Sequence, residues 1–509
     1  MTETTPDTFI LSSDAARTLA SEPMAGLIPN LTGEEPWDRF TALDCFDQSL
    51  QRSGQLLLRI GRRVRLFRTD GPPLAQGVPP QGRFVADFPD GPVKSALGHL
   101  SPLRGLLPVG SGRLRSAVIT FTDDNAKTQV RAHLDFLEAE SGDTAVIVTA
   151  KGLRGYARAL TDLRRTLEQA GAAAPHLPTL ITRLFPAVQA YDAKPEVLFA
   201  ADRSAFDAAC DIILAYLPVA RANEAGIIAD HDTEFLHDYR IALRKIRSVL
   251  SLFKEVFGAA QTAELKLGFS RLMNATGRLR DLDVFLLDRQ TYHALLPASL
   301  HRGLDAQFSL LEKERRLEQK KLARHFQSEA YLTAIADLSR PFGNRELLVP
   351  GPNADLGAHA FACKLIWKRY RRVCEIAGTI GPQTDDAEVH ALRIECKKLR
   401  YLMEFFGRLF PKEEFRSILK PLKELQDNLG LINDYAVQQV NLQLFLRRAH
   451  RLPDDLGLDM AQSVGALTTI LHQRQVEERA RTVESFVQFN GPEIQQMFRI
   501  LFHRPKDMP

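Results

Sequence analysis

The sequence predicts two unlike parts, an α+β domain followed by a longer all-α region of two helical bundles. Three observations predict it: β-rich stretches confined to residues 41–170, apolar residues recurring at three and four from about residue 196 onward, and a basic helix that recurs 153 residues later. With 509 residues the chain is too long for one ordinary core. Apolar residues at 45% and charged residues at 25% are globular values and exclude a disordered chain. Lys plus Arg (66) barely exceed Asp plus Glu (62), so the location of the charges, not their sum of +4, decides what partner they suit.

Residues 1–40 carry Pro, Gly, Ser and Thr with little periodicity and are expected to be a loosely ordered lead-in. From 41 to 170, LLLRIGRRVRLF, RSAVITF, TQVRAHLDFLE and TAVIVTA read as strands between Gly and Pro clusters, with an amphipathic helix near 155–170. Residues 171–195 hold four prolines and a run of alanines and are expected to be a linker. From 196 to 505 the text is helical, interrupted at 340–355, which separates repeats of about 196–340 and 356–505. No basic leader and no run of 18 apolar residues is seen, so a cytoplasmic protein without a membrane span is expected. Cys45, Cys210, Cys363, Cys374 and Cys396 show no ligand-like spacing and read as reduced thiols.

The repeat is found by sliding the sequence on itself. His237, Arg240, Arg244, Lys245 and Arg247 fall on His390, Arg393, Lys397, Lys398 and Arg400, and Phe253 and Phe257 fall on Phe406 and Phe410. Gly277 and Asp281 coincide with Gly430 and Asp434 in the same register. At roughly 100° per residue, offsets 0, 3, 7 and 10 from each histidine span an arc of about 80°, so one histidine and three cations share a stripe. Like charges three or four apart cost an isolated helix about 0.2 to 0.5 kcal/mol per pair. A solvated face relieves such pairs with carboxylates at i+4, and the carboxylates read beside these stripes are Asp238 and Glu395. Repulsion retained twice points to an anion.

The run 311–326 is just as basic but alternates Glu312, Glu314 and Glu318 with its cations, and reads as a solvated face. Lys364, Lys368, Arg371 and Arg372, with no acid before Glu375, are additional candidate anion contacts without a counterpart in the first repeat. A histidine in line with arginines suits donation to phosphate oxygen, more so when protonated in mild acid. No carboxylate or second histidine sits at i+3 or i+4 of either, so no metal and no cofactor are expected. Gly277, Asp281, Gly430 and Asp434 are expected to shape a helix and orient an arginine. The four phenylalanines are expected in the core.

HDYRIALRKIRSVLSLF, VHALRIECKKLRYLMEFF, GRLRDLDVF and LKELQDNLGLINDYAV together resemble the CHAD family, the conserved histidine α-helical domain, over about 196–505. The resemblance implies two bundles related by pseudo-twofold symmetry, a shared cationic channel lined by the ten His, Arg and Lys positions above, and binding of inorganic polyphosphate, often on polyphosphate granules. The N-terminal region shows a fainter resemblance to a CYTH or triphosphate-tunnel domain in DCFDQSLQRSGQLLLRIGRRVRL and AVIVTAKGLRGYARALTDLRRTL. That family's Glu-x-Glu-x-Lys is absent, and Thr149 and Ile147 stand where carboxylates are expected before Lys151. A metal-dependent triphosphatase needs those carboxylates to hold its ion, so a non-catalytic scaffold is expected, with Arg59, Arg62, Arg63 and Lys151 as candidates to line a basic cavity. Three readings compete: a polyphosphate-binding granule protein, a metal-dependent inorganic triphosphatase, and a nucleic-acid binder. The last is disfavoured because only Tyr239 and Tyr401 flank the stripes.

Overall fold

The computed structural model describes residues 8–170, 176–380, 384–446 and 454–503, and the chain divides into two compact units at Asp192/Ala193. The N-terminal unit is a curled antiparallel sheet of nine strands: β1 (Thr8–Leu11), β2 (Ile28–Thr32), β3 (Asp38–Cys45), β4 (Gln55–Ile60), β5 (Arg63–Arg68), β6 (Leu74–Gly77), β7 (Leu106–Thr122), β8 (Thr128–Ala139) and β9 (Thr144–Gly152). The order is β1-β9-β8-β7-β3-β4-β5-β6, and β2 pairs with the far half of β7. Alternation along each strand places one apolar set on each face. Helices α1 (Ser13–Ser21) and α4 (Ala157–Gln169) cover one face, burying Leu19, Leu163 and Leu167 against Phe121, Leu134 and Val148. Two short helices, α2 (Ser49–Arg52) and α3 (Pro92–Ala96), pack at the β4–β6 end.

Two sequence expectations need correction here. The lead-in is structured from residue 8: Phe9 pairs with Val148, both are buried, and α1 packs beside them. Residues 1–7 lie outside the described residues. The expected linker contains α5 (Leu177–Leu184), whose Leu177, Leu180, Ile181 and Leu184 are buried against Phe40, Leu58, Phe67 and Ile147 on the sheet's other face. Gly110 allows this approach, because a Cβ there would lie 2.1 Å from a ring carbon of Phe185. Residues 171–175 lie outside the described residues, as do 504 and 505 at the end of the expected helical region.

The face that α5 partly covers also holds Asp135, which accepts from Arg65 at 2.6 Å and from Ser116 at 2.7 Å. Register puts His133, Arg131 and Lys151 on this face as well. Burial, then Lys151, Arg131 and Arg65, pull the His133 imidazole below its usual range. The cavity expected from Arg59, Arg62, Arg63 and Lys151 does not assemble as a group. By register Arg59 is on the face opposite Lys151, where it donates to the carbonyls of Pro80 and Gly82, and Arg62 sits in the β4–β5 turn. Asp44, in the quoted Asp-containing strand, receives the amides of Cys45, Leu50 and Gln51 and so shapes a turn. Burial pushes its carboxyl up to about 6 despite those donors.

The C-terminal unit is helical: α6 (Ala205–Ala229), α7 (Thr233–Leu252), α8 (Ala259–Ala275), α9 (Gly277–Leu287), α10 (Arg289–Leu295), α11 (His301–Phe326), α12 (Glu329–Gly343), α13 (Ala358–Ala377), α14 (Asp386–Phe406), α15 (Lys412–Leu446), α16 (Asp454–Phe489) and α17 (Pro492–Phe502). The repeat is structural. The starts of α6, α7 and α8 precede those of α13, α14 and α15 by 153 residues each. Three contacts join a residue to its own counterpart: the Ser204–Gly357 bridge, the Phe253–Phe406 stack at 5.1 Å and 12°, and the Arg302–Asp455 pair at 2.8 Å. Such self-equivalent contacts lie beside a pseudo-twofold axis. Phe253, Phe257, Phe406 and Phe410 are all buried, as expected.

The copies differ at one place that matters below. Where α15 runs unbroken, the first repeat breaks at buried Thr276, and Arg240 donates to Met273 O and Thr276 Oγ1 to close the end of α8. The run 311–326 is also more than a solvated face: Arg315 bonds both oxygens of Asp230 and one of Asp283, tying α11 to the end of α6 and to α9. Its mixture of acids is there to pair across helices, with Glu314 on Arg278 and Glu312 on Arg289. Among the described residues one helix, α6, is long and apolar enough to cross a membrane by composition, and half of its most apolar window is buried in the bundle.

Candidate functional site

Helix α7 starts where Asp232 accepts the amides of Glu234 and Phe235, a cap that sets its phase. One side of the helix then buries Leu236, Tyr239, Leu243, Ile246 and Leu250. The side left over carries His237, Arg240, Arg244 and Arg247, all half-buried. In α14 the buried set is Val389, Leu392, Cys396, Leu399 and Phe406, leaving His390 exposed and Arg393, Lys397 and Arg400 half-buried.

The two helices pack on each other, and their stripes meet. Arg244 of the first stripe stands beside the Tyr401 hydroxyl and close to Lys397 of the second. Burial, then Arg244, Arg393 and Arg400, pull the Lys397 ammonium down to about 7, against the opposing pull of Asp434. Burial likewise lowers Arg240, with Arg244, Arg280 and Arg247 adding to it and Asp281 opposing. Asp281 and Asp434, counterparts in the repeat, thus each face a stripe.

Two of the ten expected contacts point elsewhere. At offset 8, Lys245 and Lys398 lie about 80° to the other side of the histidine. Lys245 is buried, pairs with Glu404 and sits over the Tyr401 ring at 4.3 Å. Lys398 pairs with Glu395 at 2.6 Å, and Glu395 also holds Arg369. We expect Lys245→Met to leave polyanion affinity nearly unchanged. Its cost in chemical denaturation should fall below the about 3 to 5 kcal/mol of an orphaned buried charge, because Glu404 keeps Arg400 at 3.2 Å.

Arg280 is a site residue that the repeat did not reveal. It donates to His237 Nδ1 at 2.7 Å, whereas its counterpart, Asn433, presents Oδ1 to His390 Nδ1 at 3.1 Å. The hydrogen-bond network therefore assigns opposite tautomers: His237 carries its proton on Nε2, and His390 on Nδ1.

Lys364, Lys368, Arg371 and Arg372 are exposed on α13 and line a separate cleft of about 940 Å3 with Trp367 and His503. Glu375 lies 4.0 Å from Arg371 and 3.2 Å from Arg372, and the pair formed by Glu395 and Arg369 also borders the cleft. Among the described residues no group of three or more His, Cys, Asp or Glu comes together as a metal site.

The family model of the CHAD domain matches residues 211–443. Among solved structures, the crystal structure of the CHAD domain from the plant Ricinus communis is similar at 25% identity and a TM-score of 0.45, covering 61% of this chain and 96% of that one. PptA from Streptomyces chartreusis is similar at 16% identity and a TM-score of 0.40, covering 58% and 99%. An uncharacterized protein of Mycobacterium tuberculosis (strain CDC 1551 / Oshkosh) is 28% identical over 213 residues, 40% of each chain.

Proposed function

We propose that the protein binds inorganic polyphosphate along the meeting stripes of α7 and α14, as a non-catalytic, granule-associated protein of the cytoplasm, a reading supported by the match of residues 211–443 to the family model of the CHAD domain. The observation that carries this reading is the burial of Lys397 amid Arg244, Arg393 and Arg400, which together pull its ammonium down to about 7. A chain with one negative charge per phosphate removes the repulsion and supplies acceptors for charge-assisted hydrogen bonds. The non-catalytic part of the reading rests on the N-terminal unit, where Thr149 and Ile147 are buried in place of carboxylates and Asp135 is committed to Arg65.

The test is equilibrium binding of long-chain polyphosphate and of single-stranded RNA of equal charge, at several salt concentrations. Tight polyphosphate binding that weakens steeply with salt, with RNA weaker throughout, is expected. RNA binding as tight as polyphosphate would overturn the ligand assignment. Metal-dependent release of phosphate from tripolyphosphate would overturn the non-catalytic one.

Lys397 also sets a pH dependence. Bound phosphate favours the charged ammonium, so binding takes up close to one proton above pH 7 and little below it. Affinity should therefore fall as pH rises through about 7, by at most about tenfold per unit for a single proton. Lys397→Arg, charged throughout, should flatten that profile. For folding the sign reverses. Between about 7 and the ordinary 10.5 the unfolded chain keeps a proton that the folded one has lost, so this group makes stability rise with pH across that window.

A further inference from the structure

His237 of the first stripe and Arg400 of the second both border a cavity of about 980 Å3, which Lys412, Arg416 and Lys423 of α15 also line. Offsets 0, 4 and 11 along a helix fall within an arc of about 40°, so these three cations form one line down the first three turns of α15. All three are exposed, and among the described residues none is within ion-pair distance of a carboxylate. The i+4 neighbour of Lys412 is Arg416, and that of Arg416 is Lys420, so for these two the spacing that usually relieves a cation repeats the charge, while Asp427, at i+4 of Lys423, makes no ion pair with it. Of the acids at the cavity, Glu404 is engaged by Lys245 and Arg400, and Glu196 by Arg408.

This line exists in one repeat only. Helix α8 begins in the same register as α15, and its positions equivalent to Lys412, Arg416 and Lys423 are Ala259, Ala263 and Ser270. The stripes are nearly symmetric about the pseudo-twofold axis, but the path leading away from them is not.

Building on the polyphosphate reading of the stripes, we propose that Lys412, Arg416 and Lys423 form an exit track. A polyphosphate chain seated on the stripes leaves through this cavity along α15 and has no equivalent path along α8. The protein then holds a long chain with its overhang directed toward the second repeat, while a ligand short enough to be spanned by the stripes never reaches the track.

The experiment compares wild type, Lys412→Ala/Arg416→Ala/Lys423→Ala, and a control that removes three exposed charges elsewhere, Lys313→Ala/Arg316→Ala/Lys320→Ala on α11. Each is titrated with tripolyphosphate and with long-chain polyphosphate over a salt series, and thermal melts confirm the fold. In the α15 variant we expect long-chain affinity to fall about 10- to 100-fold at low salt and the salt slope to drop by about 2, as for three lost contacts to a single strand. Tripolyphosphate affinity should stay within about twofold, and the α11 control should match wild type at both lengths. Equal losses at both lengths, no loss, or the same loss in the control would each overturn the exit track while leaving the stripes in place. Failure of wild type to bind polyphosphate of either length would remove the reading of the stripes, and the track with it.

Discussion

A variant with Arg240, Arg244, Arg393 and Lys397 changed to alanine is expected to lose long-chain polyphosphate by about a thousandfold at low salt, with the slope of log affinity against log salt reduced by about 3. The magnitude follows from four lost phosphate contacts at about 0.7 released counterions each. The four are drawn from both stripes, and Arg244 and Lys397 stand where the stripes meet. Stability should barely suffer, since like-charge pairs at three and four are removed with the charges. Arg240 is the exception: without it Met273 O and Thr276 Oγ1 lose a donor at 3.0 and 2.6 Å, worth about 0.5 to 1.5 kcal/mol in denaturation. The single Arg240→Ala variant separates that structural cost from lost binding. Undiminished affinity in the fourfold variant would mean that the anion sits elsewhere, with the α13 cluster of Lys364, Lys368, Arg371 and Arg372 the next place to test.

What was legible in the sequence is what repeats. Matching residues 153 apart located α7 and α14, and the structure shows that the match extends to the starts of three pairs of helices and to the Arg302–Asp455 pair between α11 and α16. The same criterion failed wherever function or packing breaks the symmetry. Arg280 touches His237 but aligns with Asn433, and Lys412, Arg416 and Lys423 align with Ala259, Ala263 and Ser270, so neither gives a matching pair. Lys245 and Lys398 are the opposite case. They match, yet their offset from the histidine turns them off the stripe, a geometric fact available from the spacing itself.

In the N-terminal half, pattern was outweighed by composition. Leu177, Leu180, Ile181 and Leu184 fall at offsets 0, 3, 4 and 7, the buried stripe of a helix, yet the surrounding prolines and alanines read as a connector. Pro178 lies in the first turn of α5, where a missing amide hydrogen costs nothing. Strand β1 has only four residues, too few for alternation to register, and it is held by pairing with β9 from the far end of the unit. Long-range pairing of this kind leaves no local signal.

Arg315→Leu should be the most damaging single change outside the site, at about 3 to 5 kcal/mol near neutral pH. The Asp283 side chain is 1% exposed and accepts from Arg315 at 2.8 Å, while the same guanidinium makes two bonds of 2.7 Å to Asp230. Burial already raises the Asp283 carboxyl above its ordinary range, with Arg315 and then Arg280 opposing. Removing Arg315 raises it further, so the folded variant holds a proton that the unfolded chain releases, and its stability falls as pH rises past the ordinary carboxylate range. In acid, where Asp283 is protonated in both states, the difference from wild type should shrink. Denaturation at a series of pH values measures this directly, and a pH-independent deficit would show that Arg315 acts through packing alone. Since Arg315 is no part of either stripe, polyphosphate affinity measured where the variant is folded should equal that of wild type.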